Sequence, residues 1–423
     1  MLTEAFRGGV LTLVGRGVQV AAHFVGLWLL APHLTEGEFG LAVMVAVASR
    51  LLGSGSDLGM GVVALQRESC DDRRAFRLSM GGGAGAAALL ALGAPLVARA
   101  FDAPASLKPL LRAAAPALLL AGLASTARAR LGRNLSFGTL AFVDASVAIF
   151  AAYRRVRFAQ QGYGAWSIVL GDLYAAALGA AALWLLAPRS KAGPAGDLAA
   201  DGVRVVGTRT ADACFAQADR FAVGRGLGEG ALGLYGFAMQ HAMALLSQLG
   251  PVVEQVALPL FARLQQDRAM LARSYLSLTR LFALIVVPAA ALLWVLADPL
   301  VAWLYPPRWG EAVPMLRALC VAAACAGLNS HPGLVWLALG RMRLRLHWSL
   351  WNLLALAVIL LVGIRHGATG VAYALAARSL LATAVAQGIT RRVAGVEHAA
   401  YLRALWPGAA VGAAIVALDL LRA

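Results

Sequence analysis

Lysine is nearly absent from this chain. Of its 37 basic residues only Lys108 and Lys191 are lysines. With so much alanine and glycine around them, the arginines read first as the coding bias of a GC-rich genome. Acidic residues are also scarce, at 21, and charged residues make up 14% of the chain, where a soluble globular protein has about 25%. That shortage excludes an ordinary water-soluble fold. Cysteine is limited to four residues. Cys214, Cys320 and Cys325 lie in apolar stretches and Cys70 in a basic one, which leaves neither a metal site nor a disulfide framework. No polar stretch is long enough to form a soluble catalytic domain. The first apolar segment follows Arg7 but is long, contains Arg16 and has no small-x-small cleavage site, so it reads as a membrane helix rather than a leader.

What the chain does have is hydrocarbon. It is 60% hydrophobic with a mean hydropathy of +0.73. Uncharged runs such as 80–97 and 353–364 follow one another, and a bilayer core takes about 20 apolar residues per helix. The expected fold is an all-α polytopic membrane protein with about 13 transmembrane helices (12–14). They fall near 10–31, 40–63, 78–98, 109–127, 138–153, 164–187, 203–224, 230–252, 280–304, 312–338, 344–364, 368–390 and 402–421.

The net charge of +16 does not form one basic patch, which argues against nucleic acid. It alternates between connections. With the N-terminus cytoplasmic, the inner ones carry Arg67, Arg73, Arg74 and Arg77, then Arg128, Arg130 and Arg133, and so on to Arg391, Arg392 and Arg403, which is the positive-inside pattern. Tyr153-Arg-Arg-Val-Arg157 breaks it at an outer end. Either the fifth helix is short there or its arginines snorkel. The longest polar connection of the first twelve helices is expected at 261–279.

The chain also resembles itself. Leu34-Thr-Glu-Gly-Glu-Phe-Gly-Leu41 recurs as Leu227-Gly-Glu-Gly-Ala-Leu-Gly-Leu234, a shift of 193 positions (227 − 34). The same shift carries Arg16 onto Arg209. Leu111-Arg-Ala113 recurs as Leu316-Arg-Ala318, a shift of 205 (316 − 111). Internal repeats in a hydrophobic chain mark transporters, with the substrate between the repeats. Six helices per repeat is an even number, so the repeats are parallel. The domains expected are a six-helix bundle over 1–190, a cytoplasmic linker over 191–202, a second six-helix bundle over 203–394 and one further helix over 395–423. The two bundles are pseudo-symmetric and face a central cavity.

Ionisable residues at membrane depth are costly and mark function. Arg16, Gln19 and His23 share one helix face, and Arg209, Asp212 and Asp219 share another. They either line the cavity or, for Arg16 and Arg209, snorkel to the inner surface. Arg50, Ser54, Asp57 and Gly61 recur at helical spacing on the second helix, with Arg50 near its middle. The alternative there is a purely structural Arg50–Asp57 pair. Aligning Gly164 with Gly370 puts Asp172 on Arg378, a candidate gate pair. Arg112, Arg317 and Glu254 lie near helix ends and read as structural. His331 precedes Pro332 and reads as a kink feature. Asp144 and Arg220 stay open. Arginines in a cavity favour an anionic substrate.

Five segments then carry a resemblance. They are Leu34-Thr-Glu-Gly-Glu-Phe-Gly-Leu41, Asp57-Leu-Gly-Met-Gly61 with Gln66-Arg67, Arg130-Leu-Gly-Arg133 with Phe137, Gln161-Gly-Tyr-Gly-Ala-Trp166, and Asp219-Arg220 with Gly224 and Leu227. In this order they resemble the motifs of Wzx-like polysaccharide transporters, the lipopolysaccharide and exopolysaccharide exporters of the superfamily that also holds MATE exporters. The resemblance covers roughly the first 240 residues. It implies a non-enzymatic flippase for oligosaccharide linked to undecaprenyl pyrophosphate, in the bacterial inner membrane. It implies anion binding by Arg16, Arg50 and Arg209. No cofactor is expected beyond coupling to H+ or Na+, for which Asp57, Asp212 and Asp219 are the candidates. Expected partners are the lipid-linked substrate, membrane lipid and polysaccharide-assembly proteins. Two features depart from the family pattern: the arginine-rich end of the fifth helix, and a chain ending near a thirteenth helix where many members have fourteen. The rival readings are a MATE-like exporter of small cations, a membrane enzyme of polysaccharide assembly, and a scaffold of the same complex.

Overall fold

The computed structural model describes residues 2–66, 71–188 and 198–421, with side chains described from Val14 onward except at 66, 198–201 and 245–256. Arg67, Cys70, Arg189, Lys191, most of the expected linker and the Glu254 side chain lie outside the described residues. Among those described, every regular element is helical. Among the described residues, ten helices are long and apolar enough to cross a membrane, and the chain is a multi-pass membrane protein. The expected thirteen is reached only by adding α2 (Glu36–Gly53) and the two limbs of α8 (Leu198–Arg263).

The chain divides into two compact units, Met1–Gly233 and Leu234–Ala423. The first contains α1 (Leu2–Leu30), α2, α3 (Met60–Gln66), α4 (Asp72–Phe101), α5 (Leu107–Arg133), α6 (Phe137–Gln160), α7 (Trp166–Leu186) and the first limb of α8. The helix expected to open the second bundle therefore packs with the first unit.

Local chemistry sets the ends of α2. Thr35 caps its start: the Glu38 N–H donates to Thr35 Oγ1 (3.2 Å), and the Thr35 N–H donates to Glu38 Oε2 (2.9 Å). This reciprocal box satisfies donors that the first helical turn leaves free. Glu38 also packs on Gly164, whose φ is +52° and where a Cβ would lie 2.2 Å from Glu38 Oε1. Two of the sequence motifs thus meet in one contact, and only glycine fits there.

The second expected helix is not continuous. α2 stops at Gly53, residues 54–59 turn, and α3 begins at Met60. Asp57 accepts the N–H groups of Gly59 (2.9 Å) and Gly61 (3.0 Å). It caps α3 rather than extending the Arg50 stripe. Arg50 lies in the last turn of α2, not mid-helix as its spacing suggested.

Three further expectations change. α6 runs to Gln160, so the fifth helix is not short. The 261–279 segment is mostly helix, with α8 ending at Arg263 and α9 (Arg268–Val295) capped by the Asp267 side chain. The seventh and eighth helices meet directly at Gly228 (φ 83°, ψ −178°), with no loop between them, a conformation that glycine supplies without steric cost. Only part of the Gly81–Gly85 cluster supports close packing. Gly83 approaches the α5 backbone at Leu118 and Gly122, while Gly81 and Gly85 face open space.

The second unit holds the second limb of α8, α9, α10 (Ala297–Leu304), α11 (Val313–Leu328), α12 (Pro332–Ala338), α13 (Met342–Ile364), α14 (Gly367–Ala394) and α15 (His398–Leu420). Its core gathers Tyr275, Phe282, Trp336 and Tyr401. Buried polar groups there are tied across helices. Thr279 Oγ1 lies 2.9 Å from His331 Nε2 at the α11–α12 break, and Tyr275 Oη donates to Gln387 Oε1 over 3.0 Å. His331, fully buried, lies at that break, where its place before Pro332 suggested a kink. His241 Nε2 lies 2.9 Å from Tyr305 Oη, and burial pushes the Tyr305 phenol up to about 12. The phenol therefore stays neutral and able to donate. α15, the further helix, packs on α9, where a Cβ at Gly408 would lie 2.1 Å from the Ala283 carbonyl oxygen.

Candidate functional site

The first unit holds a cavity of about 380 Å³ between α2, α5, α6, α7 and α8. Two ion pairs line it. Arg209 of α8 donates from Nη1 to Asp57 Oδ1 over 3.3 Å. Arg128 of α5 grips Asp144 of α6 with both arms, at 2.9 and 2.5 Å. Bidentate pairing of this kind fixes geometry as well as charge. The remaining wall is apolar and small, with Ala121, Ala124, Ala176 and Gly179 among its residues.

Of the predicted residues, the structure brings Asp57 and Arg209 together. Ser54 Oγ and Thr210 Oγ1, 3.2 Å apart, tie the same two helices. The Arg209 side chain stays 41% exposed while that of Asp57 is 11%. Arg209 is thus lightly held, whereas Asp57 keeps two backbone donors without it. Arg16 is half-buried on α1. Asp212 is exposed and Asp219 buried on α8.

Arg50 is exposed at the end of α2 and lies in electrostatic range of Arg220 and Asp172. Asp172 is held by Arg155 of α6, which donates to it from Nε (2.7 Å) and from Nη2. Arg154 lies over the rings of Phe158 and Tyr174, at 4.4 and 4.7 Å. The arginine-rich end of the fifth helix is therefore tied to α7 through Arg155 and Arg154. The charge assigned to a gate with Arg378 is engaged inside its own unit, and Arg378 donates to Asn352 Oδ1 over 3.0 Å. With Arg155 on Asp172 and Arg220 in range of Arg50, the local excess of guanidinium charge can attract a multivalent anion.

Sequence reasoning missed the Arg128–Asp144 pair, having placed Arg128 in a loop and left Asp144 open. Opposite charges at similar depth on consecutive antiparallel helices were the available signal. The Arg130-Leu-Gly-Arg133 motif is structural. Arg133 is ion-paired with buried Asp72, and Arg130 donates to the Pro188 carbonyl over 3.2 Å while covering Trp184.

Comparison with known proteins places this geometry in a family. Residues 29–314 match the polysaccharide biosynthesis protein family, and the chain belongs to it. It is 25% identical over 324 residues to the teichuronic acid biosynthesis protein TuaB of Bacillus subtilis (strain 168), covering 74% of this chain and 66% of TuaB. It is 22% identical over 415 residues to the lipopolysaccharide biosynthesis protein WzxC of Escherichia coli (strain K12), covering 95% and 84%. Among solved structures, the fold matches the lipid II flippase MurJ in an inward closed conformation, with a TM-score of 0.72 at 12% identity over 98% of each chain. It also matches an inward-facing MATE transporter of the MOP superfamily, with a TM-score of 0.64 at 14% identity over 94% of each.

Proposed function

From its membership of the polysaccharide biosynthesis protein family, we propose that this chain is a flippase. It carries undecaprenyl-pyrophosphate-linked oligosaccharide from the cytoplasmic to the periplasmic leaflet of the bacterial inner membrane, by alternating access and without enzymatic chemistry. The observation that carries the reading is the exposed Arg50 with Arg220 beside it, around an Asp172 already engaged by Arg155. That leaves guanidinium charge for an anion, and planar forks suit the oxygens of a diphosphate. WzxC and TuaB, named for lipopolysaccharide and teichuronic acid biosynthesis, support a glycan substrate.

In this reading Arg16 and Arg209 assist Arg50, and the N-terminus is cytoplasmic, as the alternation of basic connections argues. Proton or sodium entry at Asp57, Asp212 and Asp219 sets the direction, or downstream use of the product by assembly proteins does. The test is leaflet exchange of a labelled undecaprenyl-pyrophosphate oligosaccharide in liposomes. Exchange by the wild type that is lost in Arg50→Ala supports flippase and anion site together. No exchange with folded protein and several glycans favours a scaffold.

A further inference from the structure

The cavity of the first unit is amphiphilic along its length. Arg128 lies five residues before the end of α5, about 7.5 Å along the axis at 1.5 Å per residue. Asp144 lies seven residues into α6, about 10 Å by the same measure. The charges therefore sit one to two turns inside the helix ends, at one end of the cavity. Leu120, also in the lining, is thirteen residues from the same end of α5, about 20 Å along it. The wall beyond the charges is made of small apolar side chains on α5 and α7. A water-soluble anion would leave that wall dry and unpartnered. A cavity of this size lies at the lower end of the roughly 300–1,000 Å³ usual for ligand sites, enough for a head group and the first carbons of a chain.

The charges are also arranged for exchange. Arg209 holds Asp57 through one 3.3 Å contact and is 41% exposed, and Asp57 retains the Gly59 and Gly61 N–H groups when it leaves. A phosphoryl group entering beside Arg128 can take the Arg209 guanidinium without leaving a buried carboxylate unsatisfied. We infer that this cavity binds the phosphoryl head of a membrane lipid, with Arg209 and Arg128 as its anion ligands and the Ala121–Ala176–Gly179 wall against its first hydrocarbon carbons. The site shares Arg209 with the flippase reading and adds Arg128 and an apolar wall to it; the two are told apart because lipid occupancy and leaflet exchange are measured separately.

The full chain is reconstituted in vesicles carrying trace amounts of either of two photoactivatable lipids: phosphatidylglycerol with a diazirine near the head of its acyl chain, or a polyprenyl diphosphate with the diazirine in its first isoprene. Labelled peptides are then mapped. Expected are crosslinks at 120–124 and 175–180, reduced about tenfold in Arg128→Gln/Asp144→Asn, as for loss of a charge-assisted contact. That variant removes both charges while leaving amides that can still pair. Ala176→Trp, which fills the wall, gives the same loss with Arg128 intact. Labelling by both lipids means a general phospholipid site, and labelling by the diphosphate alone means one selective for the carrier. Competition by millimolar inorganic phosphate alone, with no crosslinks at the wall, would mean that a free anion is the ligand and overturn the lipid assignment. Crosslinking no stronger than at outward-facing Leu92 and Leu185, and unchanged in both variants, would overturn the site itself.

Discussion

Gly40 and Gly233 are equivalent positions of the internal repeat, and each packs against the segment that carries the other. A Cβ at Gly40 would lie 1.8 Å from the Glu229 carbonyl oxygen, and one at Gly233 would lie 1.9 Å from the Glu36 carbonyl oxygen. Glu36 and Glu229 are themselves 193 positions apart (229 − 36), as are the two glycines (233 − 40). The contact is its own mirror under the repeat, so a local two-fold axis passes between the start of α2 and the bend of α8. The repeat read from Leu34–Leu41 and Leu227–Leu234 is thus also a contact in space.

Gly40→Ala and Gly233→Ala are each expected to lower thermal stability, because backbone stands where the methyl would go. Overpacking costs about 1–3 kcal/mol, more than the up to about 1 kcal/mol that alanine gains over glycine in a helix. Scanning fluorimetry of the purified protein should show similar falls for both. An unchanged melting temperature in either would mean that the close crossing is not maintained in the membrane.

Asp57 combines a cap with an ion pair, and two variants separate these. Asp57→Ala should cost about 0.5–2 kcal/mol as a lost cap. Arg209→Ala should cost less, since the Gly59 and Gly61 donors remain on the carboxylate. Equal destabilisation by both in chemical denaturation would contradict the capping role. If Asp57→Asn keeps stability but loses transport, its charge serves coupling rather than folding.

Arg50→Lys is expected to retain part of the leaflet exchange that Arg50→Ala loses. A lysine keeps the charge but presents no bidentate fork to a diphosphate. Exchange rates of the three proteins at matched reconstitution decide this, and full activity of the alanine variant would remove Arg50 from the anion site.

The Arg155–Asp172 pair should contribute little to stability despite its close geometry. Its side chains are 29% and 48% exposed, and exposed pairs are worth about 0.2–1 kcal/mol. A double-mutant cycle through Arg155→Ala and Asp172→Ala should give a coupling in that range. A much larger value would mean that the pair is shielded from water.

The helices were legible because hydrocarbon thickness imposes a run length that composition reveals directly. α4 to α7 and α13 to α15 lie close to their expected spans. The break at Ser54–Gly59 was not legible from hydropathy, since Leu58, Met60, Val62 and Val63 keep the run apolar. The signal was Asp57 followed by Gly59 and Gly61, a cap written into an apolar stretch. The Gly228 bend was hidden by a neighbouring polar segment that looked like a loop. Asp172 could not be matched to Arg155 by repeat alignment, because the pairing depends on which helix lies next to α7. The cavity was illegible for a related reason: its wall is shared among several helices, each contributing residues too small to stand out.

The boundary between the two compact units, at Gly233 and Leu234, falls inside α8. Five residues before the boundary, Gly228 is the point where the backbone leaves helical angles, at φ 83° and ψ −178°, so the first limb ends there. That pair of angles is essentially closed to residues that carry a Cβ, so the bend rests on one missing methyl group.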